Sequence, residues 1–241
     1  MKKIILSKGR SEVITTDKLI SDYIVLVPDS EKEDYIRNKV KNIETIPDSV
    51  KGLGSIRNWV MDNYDGDLVM LDDDITNFYY MGGKSAKRIN STEARDQILY
   101  NTYICSKDAG APCWSINQST DARKYTAYSP FSLRGWIGSV VGINDRSVRW
   151  DCKNKLRVDV DYSLQVLKEK RFMWIEKRFS FYSNKDKNIG GNAFLRSQDN
   201  YKSEKRYLKR KWGKYIEFGQ GAEKDTVKIK VEREDKSLKI N

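Results

Sequence analysis

The 241-residue sequence contains no histidine, four prolines and three cysteines, and it has no long hydrophobic run. The absence of histidine excludes Ser-His-Asp and Cys-His catalysis, so general-base chemistry falls to Asp or Glu. A metal site must use carboxylates, carbonyls and water. Cys105, Cys113 and Cys152 are scattered without paired metal spacing, which argues against structural zinc and is typical of a reducing cytoplasm.

The hydrophobic segments are too short to cross a membrane, and the first residues do not resemble a secretory signal. We therefore expect a cytoplasmic protein without a membrane partner. Six Trp and fourteen Tyr supply large apolar side chains for a core, although 33% of the residues are charged. With no repeat and no low-complexity linker, the sequence predicts a single domain over residues 1–241.

Positive charge dominates, with a formal net charge of +11 and a pI near 9.4. A surface this basic attracts polyanions, such as nucleic acid, anionic membrane or phosphorylated metabolites. The same composition also fits a protein that is merely kept soluble by its charge.

Strand and helix patterns alternate over the first third of the sequence. Strands are predicted over residues 3–6, 23–27, 43–46 and 67–71, and the helices between them over residues 15–21, 31–41 and 55–64. Later helices are predicted over residues 92–107, 161–170 and 203–215, strands over 113–116, 136–143, 171–182 and 226–231, and a loop over 188–192. Such alternation is typical of an α/β fold with a mainly parallel sheet, joined here to a more mixed second part.

Three consecutive carboxylates, Asp72, Asp73 and Asp74, follow the apolar run of residues 68–71. A buried strand that ends in acidic residues presents hard oxygen ligands at the carboxyl edge of a sheet, where open α/β folds bind ligands. Such ligands suit Mg²⁺ or Mn²⁺ together with substrate phosphates. The alternative is an acidic turn, or a cap for the segment that follows.

This βαβ start with an acidic triplet resembles the nucleotide-sugar half of GT-A glycosyltransferases. In that fold a D-x-D motif holds the divalent ion and the donor diphosphate; Asp72 and Asp74 fit it, and Asp73 offers a second register. The resemblance implies a nucleotide-sugar-binding lobe over residues 1–80 and an acceptor-binding lobe over residues 81–241.

Residues 157–164, Arg-Val-Asp-Val-Asp-Tyr-Ser-Leu, resemble the acceptor-side motif of inverting GT-A enzymes. The resemblance implies that Asp159 is the general base and that Asp161 opens the following helix. A carboxylate just ahead of a helix stays ionised in its positive field and can take a proton from a hydroxyl. Val158 departs from the family pattern, which usually has Glu there. The alternative reading makes Asp161 only a helix cap and Asp159 a surface acid.

Several segments of the first eighty residues occur in the order seen in one glycosyltransferase group. They are Ser7-Lys8-Gly9-Arg10, Thr15-Thr16, Val25-Leu26-Val27-Pro28, Ile46-Pro47, Gly52-Leu53-Gly54, Arg57-Asn58-Trp59 and the acidic triplet. This order resembles the bacteriophage and kinetoplastid enzymes that glycosylate hydroxymethylated pyrimidines in DNA, linked to base J and to the thymine and cytosine hydroxylases. The resemblance implies a UDP-sugar donor, Mn²⁺ or Mg²⁺, hydroxymethylated DNA such as hydroxymethylcytosine DNA as acceptor, and, for a phage protein, the host cytoplasm.

The same resemblance implies that Ser7 and Arg10 line the nucleotide pocket, with Pro28 and Asp29 near the base. Arg57 would reach the donor phosphates, since guanidinium groups bind phosphate oxygens bidentately. The glycines of residues 190–191 could let backbone approach the donor, or form a plain turn.

For a DNA acceptor, the densest basic and aromatic stretch lies over residues 202–214. Its candidate DNA contacts are Lys205, Arg206, Lys209 and Arg210. A flipped base would need aromatic platforms, for which the candidates are Trp114, Tyr125, Tyr128 and Trp136, although most such residues belong to cores. Three alternatives stay open: a glycosyltransferase acting on a glycan or protein, a sugar nucleotidyltransferase, and a basic DNA-binding module.

Overall fold

The computed structural model describes residues 1–184, 197–219 and 226–231. The strands are β1 Lys2–Leu6, β2 Tyr23–Pro28, β3 Ile43–Ile46, β4 Leu68–Asp72, β5 Ile75–Tyr80, β6 Lys87–Ile89, β7 Cys113–Asn117, β8 Phe131–Ser132, β9 Val140–Ile143, β10 Trp174–Ser183, β11 Ile216–Phe218 and β12 Val227–Ile229. The α-helices are α1 Lys32–Arg37, α2 Leu53–Asn63, α3 Thr92–Asp108, α4 Val158–Glu169 and α5 Gln198–Trp212. The predicted loop over residues 188–192 lies outside the described residues.

The described residues form a ten-stranded sheet with the order β3-β2-β1-β4-β9-β7-β10-β5-β6, in which β8 pairs with β10. Strands β11 and β12 form a separate two-stranded antiparallel sheet. The strands β1 to β4 run parallel to one another, as the sequence predicts. Farther along, β9 is antiparallel to β4 and to β7, whereas β7 and β10 are parallel. The α/β fold with a mostly parallel central sheet is confirmed.

Strand β4 is buried on both faces, which explains its unbroken apolar sequence. Leu68 and Met70 pack in the same cluster as Val60 of α2, and Val69 packs in the opposite cluster with Leu99 of α3. Because side chains alternate along a strand, one five-residue segment serves both cores. The chain then turns at the acidic triplet and returns as β5, which pairs with β10.

Helix α4 begins three residues earlier than predicted, at Val158 instead of Asp161. Val158 and Val160 are buried, with 2% and 4% exposure, so the apolar spacing of the first turn is helical. Asp161 is therefore not the residue that opens the helix, and this prediction was wrong. Its position inside the first turn directs its side chain toward α5.

Helix α5 also begins earlier than predicted, because the side chain of Ser197 caps it by accepting a hydrogen bond from the amide of Asn200. Its buried residues Leu208 and Trp212 join Val160 and Leu164 of α4 in a separate small cluster. The strand predicted over residues 136–143 is confined to β9. Among the described residues, no helix has the length and apolar character needed to span a membrane.

Candidate active site

A cavity of about 540 Å³ opens at the carboxyl ends of the parallel strands β1, β2 and β4. This is the edge where open α/β sheets bind ligands. The cavity brings together most of the residues that the sequence singles out: Ser7, Arg10, Pro28, Arg57, Asp72, Asp73, Asp74 and Asp159 all line it.

Asp73 ties the loop after β1 to the end of β4. Its carboxylate accepts hydrogen bonds from the hydroxyl of Ser7 at 2.5 Å and from the guanidinium of Arg10 at 2.7 Å. The Ser7 hydroxyl also lies 2.7 Å from the Tyr35 hydroxyl. Burial raises the pKa of Asp73, and Arg10 opposes that rise. Asp73, Ser7 and Arg10 thus form a network that fixes the cavity floor.

Asp74 is buried, with 4% exposure, and its pKa is raised to about 6 by burial and by the neighbouring carboxylates of Asp72 and Asp73. Its Oδ2 lies 3.4 Å from the Arg10 guanidinium. Its Oδ1 is buried and has no hydrogen-bond partner among the described residues. Arg10 thus offsets only part of the effect of burial and of the neighbouring carboxylates on Asp74.

Asp72 is the most exposed member of the triplet, with a side chain that is 33% exposed, and it lies 3.6 Å from Arg57. The Arg57 guanidinium is buried above the Trp150 ring at 4.3 Å, and it donates to the carbonyl of Gly138. Burial lowers the pKa of Arg57, although Asp72 opposes this change. Two Arg57 nitrogens, Nε and Nη1, have no hydrogen-bond partner in the described part of the chain.

These oxygens fit a hard divalent cation. Asp72 is open to the cavity, and Asp74 offers a buried oxygen without a partner. No cluster of three or more carboxylate or cysteine side chains that could hold a metal occurs in residues 1–184, 197–219 and 226–231. An ion here would therefore take one or two carboxylates from the protein and its other ligands from substrate phosphates and water.

The first turn of α2 forms a further wall of the cavity, through Gly52, Leu53 and Gly54. Gly52 has φ +90°, a conformation that glycine adopts without strain, and it precedes the helix without a side-chain cap. A Cβ on Gly54 would lie 3.2 Å from the carbonyl oxygen of Asp151, so the helix packs closely against that loop. Free amides at a helix amino terminus attract anions.

Asp159, one residue after Val158, also lines the cavity and is partly exposed. It lies in the first turn of α4, where the helix dipole favours an ionised carboxylate. Asp161, in contrast, does not line the cavity and is fully buried. Its carboxylate accepts hydrogen bonds from the indole of Trp212 at 2.7 Å and from Gln165 at 2.9 Å.

Three exposed lysines that the sequence reasoning did not single out also line the cavity: Lys8, Lys51 and Lys155. Isolated lysines carry no signal in a chain with 45 basic residues. Asp29 does not line the cavity, whereas Asp48 does and accepts a hydrogen bond from the Ser30 hydroxyl at 2.8 Å. The glycines of residues 190–191 lie outside the described residues.

The basic stretch divides between two faces of α5. Arg206, Lys209 and Arg210 are exposed and form what we call the basic face, whereas Lys205 lies over the Phe218 ring at 5.2 Å. Lys211 is paired with Asp151 and Asp161. None of the three basic-face residues lines the cavity.

The aromatic candidates for a base-stacking surface also differ in how exposed they are. Trp114 is fully buried and packs against Gly142, so it is a core residue. Tyr128 is fully exposed, Tyr125 is partly exposed and Trp136 is 37% exposed. Trp136 lies two residues before Gly138, which lines the cavity.

Comparison with solved structures found distant likenesses. The CMP:2-keto-3-deoxy-manno-octonic acid synthetase complexed with CTP has 9% identity and a TM-score of 0.41, covering 87% of this chain and 100% of that chain. TarS from S. aureus has 13% identity and a TM-score of 0.42, covering 76% of this chain and 36% of that chain. A Bacillus anthracis protein described as a glucose-1-phosphate thymidylyltransferase has 10% identity and a TM-score of 0.42, covering 91% of this chain and 98% of that chain.

Comparison with curated protein sequences found no match. A family model does match: that of the TET-associated glycosyltransferases, over residues 1–191. The matched region contains β1 to β10 and α1 to α4, and with them every lining residue of the cavity. The chain therefore belongs to the TET-associated glycosyltransferase family and is a glycosyltransferase.

Proposed function

We propose that this glycosyltransferase moves a sugar from a UDP-sugar to the hydroxyl of a hydroxymethylated pyrimidine in DNA, with inversion at the sugar carbon. One observation carries the proposal: a single cavity at the carboxyl edge of the sheet is lined by Asp72, Asp74, Arg57 and Asp159. The first three suit a charged donor, and the fourth suits proton removal from an acceptor.

The donor diphosphate would lie between the α2 amino terminus and the acidic triplet. Arg57 supplies two buried nitrogens without partners, and Lys8 and Lys51 add positive charge at the cavity wall. Asp72 and Asp74 would hold Mn²⁺ or Mg²⁺, which when bound neutralises charge on the nucleotide diphosphate that leaves. Positive groups aimed at the leaving group stabilise the transition state more than the ground state.

Asp159 would act as the general base. Its carboxylate takes the proton of the acceptor hydroxyl while the hydroxyl oxygen forms a bond to the anomeric carbon. The bond from that carbon to the donor phosphate oxygen breaks, and the electron pair leaves with the nucleotide diphosphate. Attack from the face opposite the leaving group inverts the configuration.

DNA as acceptor is supported by the family description and by charge. The net charge of +11 favours a polyanion, and the basic face of α5 presents three cations to solvent. Trp136, close to Gly138 at the cavity, offers an aromatic surface for a base that leaves its stack.

Nucleoside mass spectrometry tests this proposal. Hydroxymethylated duplex and single-stranded DNA, and unmodified DNA as control, are incubated with a panel of UDP-sugars and Mn²⁺ or Mg²⁺, then digested to nucleosides. We expect a hydroxymethylpyrimidine nucleoside carrying one sugar, formed by wild type and by the control Asp121→Asn. Asp121 is a partly exposed aspartate outside the cavity. The product should be absent with Asp72→Asn or with EDTA. Transfer to a glycan or protein and none to DNA would refute the acceptor assignment.

A further inference from the structure

Helix α5 contacts the backbone that leads into α4. Glu204, which is only 6% exposed, accepts hydrogen bonds from the amide of Leu156 at 2.5 Å and from the amide of Arg157 at 2.8 Å. Its second carboxylate oxygen lies 3.5 Å from the Arg157 guanidinium. Helix α4 has no side-chain cap from Arg157, its N-cap residue. A carboxylate from a distant helix thus provides the acceptor at this helix entrance.

The backbone that Glu204 holds is part of the cavity wall. Leu156 and Asp159 both line the cavity, and the buried Val158 lies between them. Asp159 follows Arg157 by two residues on the same helical turn. The amides that Glu204 binds and the carboxylate of Asp159 thus belong to one short stretch of backbone at the start of α4.

Other contacts of α5 reach residues that are close in sequence to this wall but do not line the cavity. Trp212 donates to Asp161 in the first turn of α4, and Tyr207 donates to Asp151, whose carbonyl packs against the first turn of α2. Helix α5 begins at Gln198, beyond the end of the family match at residue 191. The element that supports the wall thus lies outside the residues that the family model matches.

We propose that Glu204 is a positioning residue for sugar transfer, which holds the entrance of α4 so that Asp159 meets the acceptor hydroxyl. This rests on the proposed function, in which Asp159 is the base. The competing role is structural: Glu204 would only help α5 to dock on α4. Leu208, one turn farther along the same buried face, separates the two roles, because it packs in the α4–α5 cluster and its side chain cannot accept a hydrogen bond from the two amides.

The experiment compares steady-state transfer to hydroxymethylated DNA for wild type and for Glu204→Ala, Glu204→Gln, Leu208→Ala and Asp159→Asn. UDP-sugar affinity is measured by calorimetry and the melting temperature by fluorescence. Glu204→Ala is expected to lower kcat by about 10²-fold, the usual effect of a 1 Å displacement of a reacting group, with KM and Kd for the UDP-sugar unchanged. Glu204→Gln keeps an oxygen acceptor and is expected to restore most of kcat.

Leu208→Ala is expected to lower the melting temperature and to keep kcat. The proposal is overturned by wild-type kcat in Glu204→Ala, by no rescue in Glu204→Gln, or by an equal loss in Leu208→Ala. It is also overturned if neither Glu204→Ala nor the space-filling Glu204→Met folds, because the residue then serves stability. If Asp159→Asn is active, the base assignment in the proposed function is overturned. If Asp159→Asn is inactive and Glu204→Ala is fully active, only the positioning role of Glu204 is rejected.

Discussion

Replacing Asp161 by Asn should destabilise the protein strongly, although the two side chains have nearly the same size. The Asp161 carboxylate is fully buried and accepts hydrogen bonds from Trp212 and Gln165. It also forms an ion pair with Lys211 at 2.9 Å. An Asn side chain has one acceptor oxygen, so its NH₂ group would face a donor, and Lys211 would lose a buried counter-charge.

Removing one partner of a buried ion pair costs about 3–5 kcal/mol. The Lys211 side chain is 28% exposed and keeps Asp151 at 2.6 Å, which lowers the expected cost. We therefore expect a loss of about 3 kcal/mol in the free energy of unfolding. In a chain of this length, each kcal/mol shifts Tm by about 2–4 °C, so Tm should fall by about 6–12 °C.

Urea and thermal unfolding followed by tryptophan fluorescence measure this loss. The matched control is Asp145→Asn, because Asp145 forms an ion pair with Lys170 in which both side chains are about one-third exposed. Exposed pairs of this kind contribute about 0–1 kcal/mol. A loss below about 1 kcal/mol in Asp161→Asn, equal to that of the control, would refute the anchoring role of Asp161.

Three further outcomes follow from the cavity and from α5. Because the pKa of Asp74 is raised to about 6 and cation binding needs the ionised form, Mn²⁺ affinity should weaken as pH falls through about 6, and this pH dependence should be lost in Asp74→Asn. Calorimetry from pH 5 to 7.5 measures the affinity, and a wild-type affinity that does not change with pH would contradict the prediction. Arg57→Lys keeps the charge but loses the planar donors, so UDP-sugar affinity should fall by about tenfold, the equivalent of one hydrogen bond to a charged group. An unchanged affinity would show that Arg57 does not bind the donor. Neutralising the basic face should lower the slope of log affinity for DNA against log salt concentration by about one per lost phosphate contact, whereas neutralising the exposed Lys39, just after α1, should leave the slope unchanged. An unchanged slope in the basic-face variant would show that DNA binds at another surface.

Much of the fold of residues 1–80 could be predicted from sequence because its signals are local. The apolar segments of β1, β2 and β4 are continuous, since each strand is buried on both faces, and the acidic triplet marks the end of the last one. Parallel order then brings the ends of these strands to one edge. Asp72 and Asp159 are 87 positions apart in the chain and still line one cavity.

The remaining errors arise where a distant residue decides the local structure. Asp161 resembles a helix cap in sequence, but the acceptor at the α4 entrance is Glu204, more than 40 positions away, so no local pattern reveals it. Asp161 is then free to anchor Trp212. The strand predicted from residue 136 begins only at Val140, because the amide of Ile137 donates to the Ser163 hydroxyl instead of a neighbouring strand.

The most direct test of the central claim is single-turnover transfer of a labelled sugar from a UDP-sugar to hydroxymethylated DNA by Asp159→Asn, compared with wild type and Asp121→Asn. Asn keeps the size of the side chain but cannot accept the proton, so the rate should fall by about 10²–10⁴-fold. Affinity for the UDP-sugar should stay the same, because the proposed donor contacts are Arg57, Asp72 and Asp74, and Asn keeps the size of the Asp159 side chain. A wild-type rate in Asp159→Asn, with the same DNA product, would contradict the claim that this cavity carries out base-assisted transfer.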